Sequence, residues 1–293
     1  MRENIAMHFV QAKGILSQNN GMNIYRGCSH GCIYCDSRSK CYGFTHAFED
    51  IEVKENAPEL LEQALRSKRH KCMIGTGAMC DPYLPAEKEL QLTRKCLKLI
   101  DRYEYGVTVL TKSNLVLRDL DLLQSIHKKT KAVVQMTLTT YDENLCRKLE
   151  PNVSTTRERF EVLMRCKELG IPTLVWMTPI LPFINDTREN IEGLLDYCLQ
   201  AGVQGILVFD VGVTLREGDR EYFYQALDRD FPGIRQKYVS TYGNAYDIPS
   251  PHAKELMALI QNTCTANGIL CSPKECFTYL HEFPERYVQQ TLF

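Results

Sequence analysis

Long apolar runs are missing from this chain of 293 residues. Its most apolar stretch, PTLVWMTPILPFI at 172–184, is broken by three prolines, and the opening MRENIAMHFVQAKGILSQ has no continuous apolar core of signal-peptide length. An exported or membrane-spanning protein is therefore not expected. An excess of charge is missing too: 35 Lys and Arg face 36 Asp and Glu. No global positive field draws in nucleic acid, and RSKRHK at Arg66 to Lys71 reads as the solvated end of a helix. Low-complexity segments and internal repeats are absent, which argues against tails and solenoids. The thirteen cysteines form no secreted framework, so a reducing, cytoplasmic setting is expected. With 44% hydrophobic residues the chain can bury a sizeable core.

What the chain does have is alternation. MNIYRG reads as a first strand, APELLEQALRSK as a helix, KCMIGTG as a strand and EKELQLTRKCLKLIDRY as a helix. YGVTVLTKS (strand), LRDLDLLQSIHKK (helix), AVVQMTLTT (strand) and STTRERFEVLMRCKELG (helix) follow, the last with Ser154 as N-cap and Gly170 as stop. IPTLVWMTPI, DTRENIEGLLDYCLQAG and GILVFDV add strand, helix and strand, with Asn185, Asp186 or Thr187 as the cap. Six strands separated by helices imply parallel strands with right-handed crossovers. The expected class is α/β, a partial (β/α)6 TIM-like barrel with a C-terminal extension. An N-terminal segment (1–22), the barrel (23–232) and the extension packed on it (233–293) are the expected parts.

Between the first strand and first helix lies YRGCSHGCIYCDSRSKCYGF. Cys28, Cys32 and Cys35 follow the strand, on the face where such barrels place their chemistry. Three soft thiolates suit zinc, with His30 or Cys41 as a fourth ligand, or an iron–sulfur cluster. On a four-iron cluster three cysteines leave one iron open to a substrate or cofactor. Gly27 and Gly31 let the backbone fold tightly around such a group. Cys264, Cys271 and Cys276 form a looser set, either buried apolar thiols or ligands of a second cluster.

The C-x3-C-x2-C spacing with an aromatic before the third cysteine resembles the radical S-adenosylmethionine superfamily. YRGCSHGCIYCDSRS, CDPYLPAEKEL, VLTKSNLVLRDLDLL, TLTTYDENLCRKLEPNVSTTRERF, TPILPFINDTRENI and the terminal QQTLF are similar to its spore photoproduct lyase-like group. The resemblance implies an enzyme that reductively cleaves S-adenosylmethionine (AdoMet) at a 4Fe-4S cluster on Cys28, Cys32 and Cys35. The resulting 5'-deoxyadenosyl radical would take hydrogen from an unidentified substrate, with an electron donor such as flavodoxin or ferredoxin.

The same resemblance implies an adenine contact for Tyr34 and a place for the methionine amino group at Thr76, Gly77 and Ala78. It also implies a carboxylate partner in Lys112 beside Ser113, a ribose partner in Thr137 or Thr139, and an apolar floor at Pro179 and Ile180. The enzyme that gives this group its name uses a cysteine near the second-strand turn as hydrogen donor, and Cys80, which lies close to that turn, is the candidate this implies. Glu150 and Arg157 read as an ion pair or a cofactor contact. The competing reading is a non-enzymatic module, zinc-stabilised on the same thiols and binding nucleic acid through Arg66 to Lys71.

Overall fold

A computed structural model describes residues 6–284, so the terminal QQTLF lies outside the described residues. Six parallel strands form one sheet in chain order: β1 (Gly21–Met22), β2 (Met73–Thr76), β3 (Gly106–Thr111), β4 (Ala132–Thr137), β5 (Thr173–Trp176) and β6 (Gly205–Leu207). Helices Ala57–Ser67, Leu92–Arg102, Leu120–Lys129, Thr156–Glu168 and Arg188–Ala201 lie between successive strands. This is the expected α/β partial barrel. All six residues of β4 are buried, because helices cover one face of the sheet and packed side chains the other. Each helix turns a stripe inward, such as Ala57, Leu61 and Leu65, or Leu92, Cys96, Leu97 and Ile100. Burying one such leucine contributes about 2 kcal/mol.

Several local expectations are corrected. MNIYRG is two strands: Gly21–Met22 enters the main sheet, whereas Tyr25–Arg26 pairs antiparallel with Ile51–Lys54. Ile51–Lys54 also takes Met7–Val10 as a parallel neighbour, so the N-terminal segment completes a small three-stranded sheet. The long helix expected at 87–103 breaks at Gln91, whose φ is +52°. Glu87 folds back there to accept the Thr93 N–H at 3.1 Å, capping the second piece. Thr155, not Ser154, caps Thr156–Glu168 through a capping box with Glu158. Thr187 caps Arg188–Ala201, leaving Asn185 to bond Leu181 N–H and the Thr139 carbonyl and Asp186 to accept from Ser250.

Beyond β6 the strand Gly212–Thr214 pairs antiparallel with Asp247–Pro249, enclosing helices Asp219–Asp230 and Ile234–Tyr242. Their apolar side chains, Phe223, Leu227 and Tyr238 among them, share a core with Cys32, Ile33 and Tyr34. Helix Ala253–Ala266 packs on Arg188–Ala201, and Leu270 exchanges backbone bonds with Ile206 (2.8 Å) and Gln204 (3.0 Å), covering the open edge of β6. Among the described residues no helix is long and apolar enough to cross a membrane.

Candidate active site

The C-terminal ends of the strands surround one cavity of about 590 Å³, within the range of ligand sites, roughly 300–1,000 Å³. Cys28, Cys32 and Cys35 lie on one side. Gly77 and Ala78 after β2, Thr111 at the end of β3 with Lys112 after it, Thr137 of β4, and Trp176 at the end of β5 with Thr178 and Pro179 after it continue the wall. Phe209, Asp210 and the pair Gly212–Thr214 with Asp247–Pro249 close it.

The cysteine loop is held by its backbone. Cys28 N–H donates to the Phe48 carbonyl (2.9 Å), Ile33 N–H to Leu149 (3.0 Å) and Asn152 N–H to His30 (3.1 Å). Gly27 has φ of +87°, and a Cβ there would meet the Phe48 carbonyl at 2.5 Å, so only glycine fits. Cys32 is buried, Cys28 and Cys35 are half-buried, and all three line the cavity. Three soft thiolates fit an iron–sulfur cluster, and on a four-iron cluster they leave one iron open to the cavity. Cys41 is exposed, lies outside the cavity wall and meets the Arg216 guanidinium at 3.4 Å, so it does not complete a zinc site.

Electrostatics follow from burial. Cys32 and Cys35 are pushed up by burial, with Lys112 opposing that rise. Cys28 is held well below its usual value by the Cys80 thiol and by His30. Burial disfavours charge on His30, but Cys28 and Asp81 outweigh it and its pKa rises. Lys112 is half-buried, and its partial desolvation opposes its charge, yet Cys32 and Glu150 raise its pKa. Among the described residues its Nζ makes no hydrogen bond or ion pair; it stands 5.9 Å from the Tyr34 ring centroid. Tyr34 donates its hydroxyl to Glu150, so what it offers the cavity is its ring.

Glu150 is fully buried and pairs with Arg159 at 2.5 Å, where the sequence pointed to Arg157. Arg157 lies outside, 3.5 Å from Glu161. Helical phase carried the signal, since Thr156, Arg159, Phe160, Leu163 and Cys166 form the buried stripe. Burial pushes the Glu150 carboxyl up, but Arg159 and Lys112 together hold it below the usual range.

Asp81 is the residue whose role the sequence did not show. Its carboxylate accepts Tyr83 N–H (2.8 Å), the Thr111 hydroxyl (2.7 Å) and Lys112 N–H (2.7 Å), with His30 Nδ1 at 3.6 Å. It joins the turn after β2, the end of β3 and the cysteine loop. Gly77, with φ of +100°, runs so close to β3 that a Cβ would lie 1.9 Å from the Leu110 carbonyl.

Of the residues singled out by sequence, Tyr34, Gly77, Ala78, Cys80, Lys112, Thr137, Pro179 and the three cysteines line the cavity. Thr76 lies buried in β2, and the Ser113 hydroxyl caps the turn beginning at Asn114. Thr139 gives its carbonyl to Asn185 and Asn190, and Ile180 belongs to the main core. Cys80 donates to the Gly27 carbonyl at 2.7 Å, beside Cys28. The wall residues Trp176, Phe209, Asp210 and Asp247 carried no motif.

The family model of the radical SAM superfamily matches residues 22–198. The chain belongs to the radical SAM superfamily. An uncharacterized protein of Mycobacterium tuberculosis (strain H37Rv) is 29% identical over 249 residues, covering 80% of this radical SAM chain and 70% of the relative. An uncharacterized protein of Methanocaldococcus jannaschii is 35% identical over 169 residues, 57% of this chain and 62% of that one. Among solved structures, spore photoproduct lyase complexed with dinucleoside spore photoproduct superposes with a TM-score of 0.64 at 13% identity, over 90% of this chain and 81% of that chain. A mutant of that lyase with bound AdoMet and dinucleoside spore photoproduct gives 0.59 at 14% identity, over 86% and 75%. At such identities the likeness is one of fold. As a superfamily member this radical SAM chain is an enzyme.

Proposed function

We propose that this enzyme holds a 4Fe-4S cluster on Cys28, Cys32 and Cys35 and binds AdoMet in the adjoining cavity, to abstract hydrogen from an organic substrate. When bound, these groups supply reductive cleavage of AdoMet to a 5'-deoxyadenosyl radical. The observation that carries the reading is the half-buried Lys112 ammonium, without a hydrogen bond or ion pair among the described residues, sharing one cavity with three thiols.

The residues present do the positioning. Lys112 offers a point charge for the methionine carboxylate, and the Gly77–Ala78 turn admits a ligand close to its backbone. Tyr34, fixed by Glu150, presents a ring on which adenine stacks, and Thr137 offers a hydroxyl to the ribose. Pro179 and Trp176 form the apolar side, which keeps water from a reactive intermediate. Cys80, behind Cys28, is the candidate hydrogen donor.

Phe209, Trp176, Asp210 and Asp247 bound the remaining space. With 35 basic against 36 acidic residues, and Asp36, Asp81, Asp210 and Asp247 all in the wall, a polyphosphate substrate is not favoured. A one-electron protein donor such as flavodoxin or ferredoxin is the proposed partner. Anaerobic purification with iron, sulfide and zinc analysis tests the reading. About four iron and four sulfide per chain are expected, falling to background in Cys32→Ala; stoichiometric zinc on these thiols in place of iron would overturn it.

A further inference from the structure

Outside the cavity, one ring nitrogen of His8, one of His46 and a carboxylate oxygen of Glu52 all lie within 4.8 Å of one another. His8 and Glu52 are register partners in the small sheet, so their side chains rise from the same face. His46 comes from the segment that returns from the cysteine loop. Its ring meets that of His8 edge to face, centroids 4.8 Å apart.

The proton positions point to a cation. His46 Nδ1 lies 2.9 Å from the Ala47 carbonyl, which can only accept, so Nδ1 carries the hydrogen and Nε2 keeps a lone pair. That Nε2 is buried and has no hydrogen-bond partner; the nearest charge is Glu52, at 3.9 Å. A buried acceptor without a donor costs about 1–3 kcal/mol. On His8, Asp50 takes the Nδ1 hydrogen at 3.0 Å, the carboxylate–histidine arrangement that supports metal ligands from behind.

We infer that His8, His46 and Glu52 bind a divalent zinc ion, separate from the cysteine site. Two neutral imidazoles and one carboxylate, with water in the fourth place, are a zinc donor set. Glu52 and Asp50 together offset the 2+ charge. The opposing cations are Arg26, register partner of Glu52, and Lys54, but the Arg26 guanidinium is turned to the carbonyls of Tyr42 (2.8 Å) and Gly43 (3.0 Å) and the Lys54 ammonium to the Asn23 carbonyl (3.0 Å). Zinc–ligand bonds of about 2.1 Å bring ligand atoms to about 3.4 Å apart, so modest side-chain rotation closes the site. The ion would staple the Met7–Val10 strand to the segment whose Phe48 carbonyl holds Cys28 N–H.

The cluster-loaded full-length chain is treated with chelator, incubated with zinc and desalted, then assayed for zinc and iron and examined by zinc-edge X-ray absorption. About one zinc per chain, with nitrogen and oxygen neighbours and unchanged iron, is expected. His46→Gln and Glu52→Gln lose it, Asp50→Asn binds about 10- to 100-fold more weakly, and Cys41→Ala binds as wild type. Zinc should raise the thermal midpoint of the wild type and not that of His46→Gln. No retained zinc, zinc with sulfur neighbours, or undiminished binding in His46→Gln would overturn the inference. The result does not depend on the radical reading, because zinc is measured without AdoMet.

Discussion

The buried carboxylate of Asp81 accepts the backbone N–H of Lys112 at 2.7 Å. One acid in the turn after β2 thereby sets where the only unpaired ammonium of the cavity wall stands among the described residues. Charge-assisted bonds of this kind are worth about 1.5–3 kcal/mol each. Asp81→Ala is expected to lose about 3 kcal/mol in urea denaturation and to weaken AdoMet binding, because Thr111 and Lys112 N–H are left without their acceptor.

Lys112 separates binding from stability. Lys112→Met removes a half-buried charge that Cys32 and Glu150 favour, and about 10- to 100-fold weaker AdoMet binding is expected by equilibrium dialysis, the loss of one charge-assisted bond to the methionine carboxylate. Its folding midpoint should change little, since the lost desolvation cost offsets the lost attraction. Binding equal to wild type would remove Lys112 from the site.

Arg159 and Glu150 form a pair best tested by breaking it. Arg159→Met leaves a buried carboxylate unmatched and should cost about 3–5 kcal/mol. The double variant with Glu150→Leu should recover much of that loss by urea denaturation.

The same pair gives an acid dependence. In the unfolded chain Glu150 titrates near its ordinary value of about 4.3; in the folded chain it titrates lower. Its contribution is therefore complete above that ordinary value and is lost as the pH falls through the folded one. Unfolding free energies measured from neutral pH downward should fall less steeply in Glu150→Gln.

Gly77→Ala tests the turn. A Cβ 1.9 Å from the Leu110 carbonyl, at φ of +100°, forces β2 and β3 apart. A loss of at least about 2 kcal/mol is expected, together with loss of AdoMet binding.

Five of the six sheet strands and the cysteine loop were legible because their signals are local, apolar runs bounded by turns and three thiols at fixed spacing; the first strand was not, because the two-residue Gly21–Met22 has no period and Tyr25–Arg26 pairs in the small sheet. Arg159 was legible in part, since helical phase separates it from Arg157 once Thr155 is known as the cap. Asp81 was not, because its acceptors' partners lie some thirty residues on, at Thr111 and Lys112. Strands of three residues, Gly212–Thr214 and Asp247–Pro249, pair across a two-helix insertion and carry no period of their own, yet they close the cavity. His8 and Glu52 meet through a strand pairing that no local pattern announced.

The most direct measurement is 5'-deoxyadenosine release from the cluster-loaded, dithionite-reduced protein given AdoMet. Release is expected from the wild type and from Cys96→Ala and Cys166→Ala, whose thiols are buried in helices away from the cavity, and none from Cys32→Ala. No 5'-deoxyadenosine from the wild type, or undiminished release from Cys32→Ala, would contradict the assignment of the three-cysteine site.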